Sequence, residues 1–219
     1  MLFVTAFINL KEPHAKSPKF RLEQFQKLAE TNVSILIFAS PEYVAHLPEY
    51  MNVQVVPYDF NDEDDRALPL KRTEGKDTRK FLQLMNLKVD FMKLAMEFEP
   101  SFESYAWVDF NVFHVIKNVT AVQRQIQRIS SSRIEGFHIP GCWDAGMYSV
   151  DEICWRFCGG FFVGDAGSMK EFISEHEKIK IEKLTWEVNV WALMEQNGWK
   201  PVWYKGDHDD SLFQVPFLT

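Results

Sequence analysis

An α/β domain built on a mostly parallel sheet flanked by helices is the fold class this 219-residue chain predicts. Three observations carry it. Apolar segments of strand length near the N-terminus alternate with helix-start signals, the order that doubly wound folds need. Those segments are almost free of charge, as strands buried on both faces are. No Gly/Ser/Pro-rich linker, internal repeat or low-complexity tract divides the chain, so 1–219 is expected to be one domain.

Residues 2–8 (LFVTAFI) are β-branched and aromatic, and read as the first strand. Ser17-Pro18 then offers an N-cap followed by proline at the first helical position, with Phe20, Phe25 and Leu28 recurring at helical spacing behind it. Residues 33–39 (VSILIFA) form the second strand, Ser40-Pro41-Glu42 starts a short helix, and 53–56 is the third strand. An acidic run at 59–65 and a run at 71–80 carrying Lys71, Arg72, Lys76, Arg79 and Lys80 read as a solvated loop, or as a lid over a diphosphate. Residues 81–98 present one amphipathic helix with Phe81, Leu84, Met85, Phe91, Met92 and Ala95 on its apolar face. Lys88 interrupts that face, either snorkelling to solvent or pointing into a phosphate site. Further on, 104–110 and 133–139 are strands, and 119–129 is a helix between them. Residues 157–163 (FCGGFFV) read as a strand containing two glycines, 169–184 and 186–197 as helices with Gly198 closing the second, and 202–204 as a last strand.

The formal charge of −7 excludes a nucleic-acid binder that works through counterion release, since such proteins need a positive surface. A small phosphorylated ligand needs only a local cluster of cations or a metal. Nineteen Phe, seven Trp and six Tyr supply a deep core and also suit stacking on flat rings. Cys142, Cys154 and Cys158 lack the two-residue spacing of a zinc or redox motif and read as reduced thiols of a cytoplasmic protein. No segment has the length or the charge-free composition of a membrane span, and the N-terminal strand lacks the basic leader of a signal peptide.

Asp109-Phe110-Asn111 stands where an apolar strand ends, the position at which open α/β sheets gather ligands. Side chains at i and i+2 of extended backbone point the same way, so Asp109 and Asn111 could share one hard cation; a plain turn is the competing reading. Gly159-Gly160 implies a bulge or a close approach of ligand to backbone. Arg156 stands in a Trp- and Tyr-containing loop where it could meet phosphate, sugar or only solvent. Glu187 opens a helix, as dipole compensation, as a general base or as a donor-sugar contact. His208, between Asp207 and Asp209, is a solvated loop residue or the last ligand of a cation held by Asp109.

The order of TAFINL, YAWVDFNVF, FCGGFFVGD, WEVN and a C-terminal His resembles the YibB-type glycosyltransferase-like family and, more broadly, GT-A glycosyltransferases, over nearly the whole chain. The resemblance implies a GT-A-like fold, a nucleotide-sugar donor (a UDP-sugar), a glycan acceptor and Mn²⁺ or Mg²⁺. It assigns Thr5, Ala6 and Phe7 to the nucleotide base, and Asp109 and Asn111 to ribose and metal, with His208 as a further metal ligand. It places the Gly159-Gly160 turn at the donor sugar and makes Glu187 the catalytic carboxylate; beside it, Phe110, Lys88 and Arg156 are read as further cofactor contacts and Asp165 as a second candidate catalytic carboxylate. Asn111 departs from the family's Asp-x-Asp pattern, which keeps open a domain that binds without turnover. A sugar nucleotidyltransferase is the other alternative, though the glycine-rich cationic loop it requires after the first strand is missing.

Overall fold

The computed structural model describes residues 1–12 and 16–218. Its centre is a seven-stranded mixed sheet: β1 (Leu2–Phe7), β2 (Ile35–Ala39), β3 (Val53–Pro57), β4 (Ser104–Val108), β5 (Phe137–Gly141), β6 (Phe161–Asp165) and β7 (Val202–Lys205). The spatial order is β3-β2-β1-β4-β6-β5-β7, with every pairing parallel except the two made by β6. One reversed strand between β4 and β5 leaves the carboxyl ends of all the other strands, and the amino end of β6, on one edge of the sheet.

Helices cover both faces. α4 (Lys88–Phe98), α6 (Ala166–Lys178) and α7 (Glu187–Gln196) pack over one core, in which Phe91, Met92, Trp107, Phe162, Phe172 and Trp191 are buried. α1 (Pro18–Ala29), the short α2 (Pro41–Val44) and α5 (Val119–Ser131) cover the other, where Phe25, Leu28, Val108, Ile126 and Phe213 are buried. The alternation of β4 feeds both: Tyr105 and Trp107 face the first core, Ala106 and Val108 the second. This is the α/β, GT-A-like architecture expected from the sequence. Among the described residues no helix is long and apolar enough to cross a membrane.

Several boundaries differ from the periodicity, each for a local reason. Residues 81–98 are not one helix but α3 (Arg79–Asn86) and α4, broken at Leu87. The Asn86 side chain donates to the Leu82 carbonyl (2.8 Å) and also to Thr185 O (2.7 Å), an amide competing with the backbone ladder at the break. Gly159 and Gly160 precede β6 rather than lying inside it. α6 begins three residues before the expected Met169 because the Asp165 carboxylate caps it, accepting from Gly167 N and Ser168 N at 2.9 Å each. The charged loop is tied down rather than free. Lys71 pairs with Glu152, Arg72 with Glu74, Lys80 with Asp62, and Arg79 donates to the carbonyls of Asp64 and Arg66.

Candidate active site at the carboxyl edge of the sheet

Asp109 is the first residue past β4, and its amide donates to Gly160 O (2.9 Å), which fixes the chain as it leaves the sheet. Its carboxylate is held from one side only. Oδ1 accepts from Trp107 Nε1 (2.8 Å) and sits 3.1 Å from Lys88 Nζ. Oδ2 has no protein partner among the described residues, and the side chain keeps 37% exposure. Pinning one oxygen and leaving the other open fixes the direction in which the carboxylate presents its free lone pairs.

Lys88 is 1% exposed. Its three N–H groups are all committed, to Gly159 O (2.8 Å), Glu187 Oε1 (2.8 Å) and Asp109 Oδ1 (3.1 Å). Burial opposes the ammonium, but the flanking Asp109 and Glu187 carboxylates more than offset it and raise its pKa. Lys88 is therefore neither a snorkelling lysine nor a phosphate ligand; it is an internal cation that orients Asp109. The break at Leu87 makes this possible by placing Lys88 at the first position of α4. Glu187, 5% exposed at the start of α7, serves the same arrangement. A buried carboxylate bonded to a lysine presents little surface to an acceptor hydroxyl, so the structure makes Glu187 a positioning residue rather than an open base. Gly159 is required between them: a Cβ there would overlap Glu187 Oε1 and lie 3.0 Å from Lys88 Nζ. A Cβ on Gly160 would meet Leu212 Cδ1 at 3.5 Å and Asp109 Oδ2 at 3.7 Å, which puts that glycine on the open side of the carboxylate.

The segments around positions 5, 109 and 208 meet at this edge. The Phe7 ring stacks on that of Phe110 (4.4 Å between centroids), and Asp210 accepts from Lys117 N (2.7 Å) and Asn118 N (3.0 Å), docking the loop after β7 onto the segment after β4. Asn111 precedes the 3₁₀ turn Val112–His114, and its Nδ2 lies 3.3 Å from His114 Nδ1. Burial lowers the pKa of His114; Lys16 and His208 push the same way, while the Asn111 carbonyl and Asp109 push against it. His208 packs edge-on against Trp155 (4.9 Å), with Nδ1 3.4 Å from Asp207 Oδ1. The backbone turns at once after Asp109, with Val112 N donating to Asp109 O (2.9 Å), so Asp109 and Asn111 do not share one face of an extended strand as expected. By donor type alone, the Asp109 carboxylate, the Asn111 amide oxygen and the His208 imidazole are O and N ligands that a hard divalent cation accepts.

Other expectations are corrected. Phe7 is wholly buried and Phe110 3% exposed, so these rings stack on each other and on Tyr43 and Phe25 and offer no face to a base. Thr5 is equally buried, its hydroxyl without a partner among the described residues, while Ala6 lies half-buried over the other core. Arg156 is an internal residue: its guanidinium pairs with Glu195 (2.7 and 2.6 Å), donates to Trp143 O and lies over Phe157 and Trp203. Asp165 stands at the opposite edge of the sheet. It pairs with Ser104, five residues before Asp109 or about 17 Å along the strand, and caps α6 while accepting from Gly136 N (2.7 Å).

Sequence reasoning missed Arg21. Its guanidinium lies over Phe7 (4.6 Å) and Phe110 (5.7 Å), and one arm donates to Ile8 O (3.0 Å). Burial pulls its pKa down to about 10, opposed by Tyr43 and Asp109. Planar, charged and seated on two rings near Asp109, it is the cation here suited to a phosphate oxygen. Its one sequence signal, a cation in the first turns of an amphipathic helix that also carries Lys19, Glu23 and Lys27, is common to many helices.

No family model matches the chain, and no curated protein matches it. Among solved structures it resembles Rv0371c from Mycobacterium tuberculosis H37Rv at 10% identity and a TM-score of 0.50, over 95% of this chain and 87% of that one. At this identity the likeness concerns the fold alone. A glycosyltransferase involved in glycosylation of the major capsid of PBCV-1 aligns at 12% identity and TM-score 0.45, over 94% of this chain and 81% of that one. A 4-diphosphocytidyl-2C-methyl-D-erythritol synthase aligns at 15% and 0.49, over 94% and 88%.

Proposed function

We propose that this protein is a glycosyltransferase of the YibB type, transferring a sugar from a nucleoside diphosphate donor, with a UDP-sugar favoured, to a glycan hydroxyl. The observation that carries the reading is the half-open Asp109 carboxylate at the carboxyl edge of the sheet. Trp107 and Lys88 hold one oxygen and leave the other on the side of Gly160.

Asp109, Asn111 and His208 would hold Mn²⁺ or Mg²⁺, which supplies positive charge to the diphosphate leaving group. The protein's own part is positional and electrostatic. Lys88, itself held by Glu187, keeps Asp109 aimed; Arg21 offers a preformed fork to a phosphate oxygen; Gly160 lets the donor approach the backbone. Ala6 and the backbone around it, rather than the buried rings of Phe7 and Phe110, are the parts of β1 left to contact a base.

Calorimetric titration with UDP, GDP and CDP, each with Mn²⁺ and with chelator, tests the proposal. Micromolar binding of at least one nucleotide that needs the cation, a loss of roughly tenfold or more in Asp109→Ala and Arg21→Ala, and slow release of nucleotide from the matching sugar donor are expected. Absence of cation-dependent binding for all three nucleotides overturns it.

A further inference from the structure

The second polar cluster at the carboxyl edge is made of sulfur. Cys142 is the residue after β5, Cys158 lies in the turn before β6, and Asp207 is two residues past β7. Because β5 runs between β6 and β7, these three segments end side by side, and residues 49 positions apart share one corner. The two Sγ atoms are 3.6 Å apart, and each thiol faces Gly206 O at 3.4 Å. The Asp207 carboxylate completes the group: one ligand atom from each residue lies within 4.8 Å of the others.

The sulfur separation discriminates between two chemistries. A disulfide needs about 2.05 Å, so the sulfurs would have to close by roughly 1.5 Å. Two thiolates on one tetrahedral zinc, with Zn–S bonds of about 2.3 Å, stand about 3.8 Å apart, close to the distance present. The backbone is held at that spacing. Cys158 N donates to Pro140 O (2.8 Å), Cys142 N to Trp155 O (2.9 Å) and Gly206 N to Gly141 O (3.0 Å). A Cβ on Gly206 would come within 2.8 Å of Pro140 Cβ, so the close approach of this loop to β5 requires glycine. Access is graded as an entry path requires: Cys158 is fully buried, Cys142 half-buried and the Asp207 side chain 69% exposed.

We propose that Cys142, Cys158 and Asp207 form a site for one thiophilic divalent cation of the zinc class, with Gly206 O or a water as the fourth donor. On binding, each thiol releases its proton to solvent, so two protons leave as the 2+ ion enters and two thiolates and one carboxylate surround it. The soft donors separate this site from the oxygen donors of Asp109 and Asn111. The proposal therefore does not depend on the glycosyltransferase reading. Its structural consequence is a staple joining β5, the turn before β6 and the loop that carries His208.

Cobalt(II) added to the reduced, metal-free full chain is the test. One equivalent is expected to give thiolate-to-cobalt charge-transfer absorption in the near ultraviolet and intense tetrahedral bands in the visible, abolished by stoichiometric zinc. Cys142→Ser should lose most of the charge-transfer band. Asp207→Asn, an exposed change that leaves the core intact, should weaken cobalt affinity about tenfold or more. Asp109→Ala should retain the bands, which distinguishes failure here from failure of the nucleotide site. No charge-transfer band in the parent protein, an unaltered band in Cys142→Ser, or recovery of a Cys142–Cys158 disulfide that takes up no metal would overturn the site.

Discussion

Replacing Lys88 by methionine removes the ammonium while keeping a side chain of similar length and volume, so the cost reports electrostatics rather than a cavity. Three acceptors lose their donor. The Glu187 side chain, 7% exposed, has almost no recourse to water, and a hydrogen bond to a charged group contributes about 1.5–3 kcal/mol. Gly159 O contributes about 1 kcal/mol as a neutral acceptor. Asp109 is more than a third exposed and keeps its Trp107 bond, so solvent screening reduces its share to about 0.5 kcal/mol. The sum, about 3–4.5 kcal/mol, agrees with the roughly 3–5 kcal/mol seen when one partner of a buried pair is removed. Urea unfolding should show this loss at an unchanged slope, with the melting temperature down by about 6–18 °C for a chain of this size. Because most of the cost is the stranded Glu187 charge, Lys88→Met/Glu187→Gln should recover at least half of it. A single variant within about 1 kcal/mol of the parent, or a double variant whose losses simply add, would refute the account of Lys88 as an internal counter-ion.

The paired glycines should behave oppositely. Gly159→Ala is expected to destabilise by about 1–3 kcal/mol, since its Cβ meets the ion pair, whereas Gly160→Ala, with ordinary contacts of 3.5 and 3.7 Å, should unfold at nearly the parent urea concentration. Asp165→Ala should cost about 0.5–2 kcal/mol through loss of the α6 cap and leave nucleotide affinity, read by calorimetry, unaltered; a specific loss of affinity would restore it to the site. Acid should weaken the fold from near neutrality. Burial lowers the pKa values of His114, His138 and His176 from the ordinary 6.5, so the folded state binds fewer protons than the unfolded chain just below that pH. Their contribution is fully present above about 6.5 and is lost as pH falls towards the folded values, so the melting temperature should drop between pH 7 and 5. His138→Gln/His176→Gln should flatten that slope, and an unchanged slope assigns the acid sensitivity elsewhere.

The sequence by itself determined the alternation of strands and helices, the burial of β1, β2 and β4, and the placing of Asp109 where an apolar strand runs out. These are local properties: side-chain periodicity, caps and prolines act within a few residues, and a charge-free strand flanked by helix signals has few ways to be buried. What Lys88, Arg21, Arg156, Asp165 and the cysteines do was decided only by the tertiary structure. Lys88 meets Glu187 across 99 positions, Arg156 meets Glu195 across 39, and Cys142 meets Cys158 across 16. The same Asp165 would stand at the carboxyl edge if β6 ran parallel to β4. A charged side chain takes its role from the partner the fold places beside it, and that partner depends on strand order and direction, which local periodicity does not encode.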